Sequence, residues 1–175
     1  MNRIRWAIVG TGYIANSFAQ GMQVVEDAVL AAVVSRSADS AKAFAEKYGG
    51  ESVYTDCEVM LKEAKPDVVY LAMPNDLHYQ YIIPALENGV NVLSEKPMVD
   101  TVKQMEEVYK KASEKGLFVM EGMWTRCFPV VRKVRQWIAE GRIGEPLTVT
   151  YALISSRITA TGRPGRRALP IPAVR

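Results

Sequence analysis

The opening of the chain most constrains what it can fold into. "IRWAIVG" (4–10) is a near-continuous apolar run, which suits a parallel strand buried on both faces. It passes directly into "TGYIA", so Gly10, Gly12 and Ala15 stand in G-x-G-x-x-A spacing ahead of the helical stretch "IANSFAQGMQ" (14–23). Gly10 permits a tight turn out of the strand. Gly12 lets the backbone approach a ligand closely, and Ala15 is small enough for the helix to lie on the sheet. A strand buried on both faces needs helices on both sides, so the rest of the chain must supply more strand–helix units.

It does. "AVLAAVVSR" (28–36) reads as a second buried strand. "DSAKAFAEKYGG" (39–50) has helical spacing at Ala41, Phe44, Ala45 and Tyr48, with Gly49 or Gly50 to cap its end. "ESVY" and "CEVMLKEAK" follow as a short strand and helix, then "DVVYLAM", "LHYQYIIPALENG" and "NVLSE" as strand, helix and strand. "VDTVKQMEEVYKKASEKG" (99–116) is amphipathic, with Val102, Met105, Val108, Tyr109 and Ala112 on one face, and "LFVMEG" is another strand. Alternation of this kind predicts a doubly wound parallel α/β sheet over residues 1–122.

The glycine turn then carries a functional reading. A first strand, a G-x-G-x-x-A turn and a helix N-terminus form a cradle for a dinucleotide pyrophosphate, with Tyr13 and Ile14 as further cofactor contacts at the helix mouth. The second strand ends in Ser35, Arg36 and Ser37, where an acid would bind the ribose hydroxyls of NAD. Arg36 can instead fork onto a 2′-phosphate, with Ser35 adding a donor, so NADP(H) is favoured over NAD(H). The bland alternative is a turn with one solvated arginine.

Two further strand ends point to the same edge, where open α/β sheets bind ligands. "NVLSEKPM" places Glu95, Lys96 and Pro97 there, and a residue before proline is pushed out of helical geometry. Desolvation at that edge suits an amine to general acid/base work; spacing alone leaves a solvated turn lysine equally open. In "LAMPNDLH", Pro74 and Asn75 form a turn able to reach a nicotinamide ribose, and Asp76 can cap the next helix. His78 is the only histidine, placed in that helix's first turn at the cleft edge, where a structural or supporting role fits better than a leading one.

After residue 122 the texture changes. "PVVRKVRQWIAEGRIG" (129–144) reads as a helix with Val130, Val134, Trp137 and Ile138 inward and Pro129 at its first position. "EPLTVTYALIS" (145–155) alternates as a strand with one buried face and opens a second domain over 123–155. Residues 156–175 form an irregular Arg- and Pro-rich tail. From Ser155 onward there are five arginines and no acid; taking them from the formal +3 leaves −2 for the body. The basic balance is a property of the tail, so it is no argument for nucleic-acid binding. No apolar run approaches the ~18 residues of a membrane helix. Cys57 and Cys127 have no metal-like spacing, and a cytoplasmic, reduced chain is expected.

"AIVGTGYIA", "MPNDLH", "SEKPM" and "EGMWTRCFP" together resemble the Gfo/Idh/MocA family of NAD(P)-dependent oxidoreductases, over about residues 3–155. "EGMWTR" is similar to the branch with dihydrodiol and xylose dehydrogenases. The resemblance implies a Rossmann domain and hydride transfer between nicotinamide and a hydroxyl-bearing carbon of a sugar, polyol or diol. It implies that Lys96 is catalytic and touches the cofactor ribose, that Glu95 and Pro97 shape its turn, often with a cis peptide, and that His78, Trp124 and Arg126 surround the cleft. It also implies a second domain with a D-x-x-x-[HY] motif and a homo-oligomer interface. That motif is absent here, and the tail reads as an out-of-frame or truncated end, with a natural basic arm as the alternative. Cofactor binding with impaired turnover is expected, and the apolar "LTVTYALIS" invites self-association. The second functional class is a dinucleotide-binding module without chemistry, which would have no need of Lys96 before Pro97.

Overall fold

The computed structural model describes residues 3–150. It divides into two units, 1–128 and 129–175. The first is a six-stranded, all-parallel sheet in the order β3-β2-β1-β4-β5-β6. Its strands are β1 (Ile4–Val9), β2 (Ala28–Val34), β3 (Ser52–Tyr54), β4 (Val68–Leu71), β5 (Asn91–Ser94) and β6 (Val119–Glu121). Between them run α1 (Tyr13–Met22), α2 (Ala38–Tyr48), α3 (Cys57–Glu63), α4 (His78–Glu87) and α5 (Val102–Lys115). The order reverses at β1, so β1 and β4 part their following loops to opposite sides and leave a crevice between them. The expected doubly wound α/β fold is present.

The strand period of two sorts the core into two layers. On one face Ala7, Val9, Val34, Val69 and Leu71 pack with Met60, Ile82, Leu86 and Val108 from α3, α4 and α5. On the other, Ile8, Leu30, Val33 and Tyr70 meet Ala15 and Ala19 of α1 and Phe44 and Ala45 of α2. The alanines of α1 and α2 matter because only a small side chain lets a helix approach the sheet closely.

Helix ends are set locally. Ser37 accepts from the Ser40 N–H to start α2, and Gly49 ends it in the left-handed region at φ 74°. Asp56 accepts from the Glu58 and Val59 N–H groups at the head of α3. Thr101 and Gln104 form a reciprocal capping box on α5, which Gly116 closes at φ 64°. Asp76 does not cap α4: it lies in a 3-10 turn, Asn75–Leu77, that leads into the helix, and Leu77 stands at the cap position without a side-chain bond.

The apolar stripe of α5 is narrower than its spacing predicts. Val108 and Ala112 are buried, whereas Val102, Met105 and Tyr109 are exposed. The helix flanks the sheet margin, where β6 has only three residues, so only the middle of the stripe meets a core.

The second unit holds α6 (Pro129–Ala139), with Pro129 at its first position as expected. Val130, Val134 and Trp137 are exposed and Ile138 is half-buried, so the expected inward face has no cover among the described residues. Residues 145–150 form no strand, and Leu147 and Val149 are 92% and 82% exposed. Alternation makes a strand only where a neighbour takes its backbone hydrogen bonds, and no such neighbour exists among the described residues. Residues 151–155 of that expected strand and the whole Arg- and Pro-rich tail lie outside the described residues. No described helix is long and apolar enough to cross a membrane.

Ile82 sits fully buried where α4 meets the sheet. Ile82→Ala should lower unfolding free energy by about 2–5 kcal/mol. Urea unfolding followed by tryptophan fluorescence should show a lower midpoint with an unchanged slope.

Candidate functional site

Backbone hydrogen bonds carry the parallel ladder one residue past β1, β4, β5 and β6 at the carboxyl edge. The Gly10 N–H donates to Val34 O at 2.8 Å, Ala72 to Val9 O at 2.9 Å, Glu95 to Leu71 O at 3.0 Å and Gly122 to Ser94 O at 2.6 Å. The loops that leave β1, β4, β5 and β6 are thereby fixed where they begin.

A cleft of about 330 Å³ opens there between the ends of β1, β2 and β4. Gly10, Thr11, Gly12, Ser35, Arg36 and Pro74 line it, together with Cys57, Leu77 and Tyr81. Gly10 has φ 103°, and a Cβ on it would lie 2.7 Å from the Ala72 carbonyl oxygen. Backbone stands in the way, so the position is closed to any side chain. Gly12 differs: its backbone is extended and a Cβ would meet nothing within 4 Å. The space over Gly12 is open to a ligand. Gly12 also begins α1 with no side-chain cap and no acid in the first turn, which leaves that end electropositive. Tyr13 and Ile14 are the first two residues of this helix.

On the opposite wall, Ser35 Oγ lies 3.4 Å from Thr11 Oγ1 and accepts from the Ser37 N–H at 3.4 Å. Arg36 is exposed and has no ion pair among the described residues. Cys57 stands at the first position of α3. Burial above all, with the charges of Asp56 and Glu58, pushes its thiol up to about 12.

The expected residues beyond β4 and β5 share the edge without all lining the cleft. Pro74 lines it, whereas the amide of Asn75 reaches Asp100 Oδ1 at 3.5 Å. His78 is 1% exposed, with Nδ1 2.9 Å from Pro97 O and Nε2 3.0 Å from Met73 O. It thus spans the loops after β4 and β5. A neutral ring has one N–H and serves one carbonyl; a doubly protonated ring serves both. Lys96 precedes a cis peptide to Pro97, as the resemblance implies. Its side chain is exposed rather than desolvated, and it makes no ion pair among the described residues. Nothing of the described body closes over it. Trp124 and Arg126 lie in an exposed 3-10 turn after β6, where Trp124 meets Phe128 edge-on at 5.2 Å; neither lines the cleft.

Three supporting side chains escaped sequence reasoning. The Tyr70 hydroxyl donates to Glu95 Oε1 at 2.7 Å, and its ring stacks on Phe18 at 3.9 Å. Burial first, then the bond to Glu95 and that carboxylate's charge, hold the Tyr70 hydroxyl far above its ordinary range, so it stays a donor. Glu121 Oε1 accepts from the Met98 N–H at 2.8 Å and steadies the segment after Pro97. Asn16 contacts the backbone of the glycine turn. No short-range signal marks Tyr70, because its partner is 25 residues away.

Residues 4–123 match the model of the GFO_IDH_MocA oxidoreductase family, described as an NAD-binding Rossmann fold. This chain belongs to that family. A scyllo-inositol 2-dehydrogenase (NADP(+)) from Bacillus subtilis is 34% identical over 157 residues, covering 90% of this chain and 48% of that enzyme. A D-xylose 1-dehydrogenase (NADP(+)) from Hypocrea jecorina is 33% identical over 175 residues, covering 93% and 44%. Among solved structures, a 3-ketoreductase from Actinomadura kijaniata in complex with NADP superposes with a TM-score of 0.75 at 34% identity, over 82% of this chain and 46% of that one. The chain spans about half the length of the curated relatives it matches.

The two cysteines of this family member differ in setting, Cys57 half-buried and Cys127 exposed. Iodoacetamide at pH 8 should label Cys127 and spare Cys57 until the pH nears 12 or urea unfolds the chain, because only the thiolate reacts. Peptide mass mapping over time reads the order.

Proposed function

We propose that this chain forms the cofactor-binding part of an NADP(H)-dependent dehydrogenase acting on a hydroxyl-bearing carbon of a sugar, polyol or diol. The observation that carries this reading is the cleft itself. A turn in which Gly10 tolerates no Cβ and Gly12 leaves open space faces a wall ending in Ser35 and Arg36 instead of an acid. Those features suit a dinucleotide pyrophosphate beside Gly12 and a 2′-phosphate beside Arg36. The NADP(+)-linked names of two relatives support the same preference.

A bound nicotinamide supplies the hydride chemistry. The chain's own part is orientation and proton handling. Lys96, held by the turn after β5, is the amine at this edge that gives or takes the substrate hydroxyl proton at Nζ. Glu95, tied to Tyr70, fixes the base of that turn, and His78 ties it to the loop after β4. Pro74 and Asn75 lie on the nicotinamide side. In this reading the Rossmann body ends near residue 122 and the segment 123–155 opens a substrate-binding domain, with Trp124 and Arg126 at its entrance.

Cofactor fluorescence at fixed salt should show NADPH bound more tightly than NADH. Arg36→Ala should narrow the gap by about 10- to 100-fold, the range for losing charge-assisted hydrogen bonds. Lys96→Met should keep most NADPH affinity and abolish any NADP⁺ reduction with sugars or polyols. Equal affinity of the unaltered chain for the two cofactors would refute the preference, and turnover that survives Lys96→Met would refute the lysine's role.

A further inference from the structure

Asn16 is a half-buried polar side chain on the first turns of α1, and every hydrogen-bonding position of its amide is used. Nδ2 donates to Thr11 O at 3.1 Å and to Gly12 O at 3.0 Å. Oδ1 accepts from Lys47 Nζ at 3.1 Å and from the Tyr48 hydroxyl at 2.9 Å. An asparagine amide offers two donors and two acceptor lone pairs, so nothing is left over. The orientation is forced as well: turned over, the amide would set its oxygen against two carbonyls and its N–H groups against an ammonium.

We infer that Asn16 is a positioning residue for pyrophosphate recognition, an inference that rests on the cofactor reading above. A trans peptide directs its C=O and N–H to opposite sides. Drawing the Thr11 carbonyl onto the Asn16 side chain therefore turns the N–H of that peptide plane the other way, toward the cleft that Thr11 and Gly12 line, and the side chain reinforces the Gly12 carbonyl, which also accepts from the Asn16 backbone N–H at 3.0 Å. Both carbonyl dipoles are thus held away from the place a phosphate would occupy. The Lys47 ammonium at Oδ1 polarises the amide and strengthens both donated bonds. Lys47 and Tyr48 come from the end of α2, so the turn after β1 is held from a helix that follows β2. Asn16 itself does not line the cleft and acts through backbone.

A positioning role separates from a merely structural one by ligand. 2′-AMP carries the phosphate expected at Arg36 and no pyrophosphate; NADPH carries both. In the full chain, Asn16→Ala should weaken NADPH by about 10- to 100-fold, as expected once both side-chain bonds to the turn are lost, and leave 2′-AMP unchanged within about twofold by ligand-observed NMR. Alanine suits a helix at this position, so the variant should fold. Asn16→Asp keeps the face toward Lys47 and Tyr48 but presents oxygen to both carbonyls and adds a negative charge. It should lose at least as much NADPH affinity. Tyr48→Phe, a milder change that keeps the ring against Phe44, should weaken NADPH by about two- to fivefold and spare 2′-AMP. Parallel loss of both ligands in Asn16→Ala would overturn the inference, and so would unchanged NADPH affinity in Asn16→Ala and Asn16→Asp. If the unaltered chain binds 2′-AMP but not NADPH, the cofactor reading fails and this inference falls with it.

Discussion

The carboxyl edge of the sheet depends on a parallel ladder that continues past its own strands. Gly10, Ala72, Glu95 and Gly122 each donate a backbone N–H to the last residue of a neighbouring strand. None of the four needs a particular side chain for this bond, yet each begins a loop that carries a candidate site residue. Gly10 opens the glycine turn, Ala72 precedes Pro74, and Glu95 precedes Lys96. Backbone hydrogen bonds between buried strands are short, directional and shielded from water, so loops tied to them have little freedom at their roots. The glycines follow from this. Gly10 is pressed against the Ala72 carbonyl because the ladder holds the two segments together.

A second tier of contacts ties the loops to one another. Asn16 binds the glycine turn to the end of α2, His78 spans the turns after β4 and β5, and Tyr70 reaches Glu95 from inside the core. These are buried or half-buried polar groups with partners, the arrangement in which a hydrogen bond contributes most to a unique geometry. Lys96 stands apart from this tier. It is exposed and unpaired among the described residues, so its backbone is placed while its side chain keeps its freedom.

The architecture and the glycine turn were legible in the sequence because their signals are local. Apolar runs of strand length, helical spacing at Ala41, Phe44 and Ala45, and glycines where the chain must turn are each readable within a short window. The partners of Asn16, Tyr70 and His78 are different. They lie 31 and 32, 25, and 19 residues away, and spacing does not reveal which side chains a sheet will bring together. Local signals also overreached where burial needs a neighbour. Val102, Met105 and Tyr109 share a helix face yet stay exposed at the sheet margin, and the alternation at Leu147 and Val149 finds no pairing strand among the described residues. Periodicity reports which face could be buried; topology decides whether anything is there to bury it.

The central claim is that the carboxyl edge between β1, β2 and β4 holds a phosphorylated dinucleotide. Amide chemical-shift mapping of the ¹⁵N-labelled chain, titrated with NADP⁺, tests it most directly. The account predicts saturable shifts concentrated at Thr11, Gly12, Tyr13, Ser35, Arg36 and the loop after β4, with the amino-terminal edge of the sheet silent. Shifts centred on that opposite edge, or none at saturating NADP⁺ in a chain whose spectrum shows it folded, would contradict it.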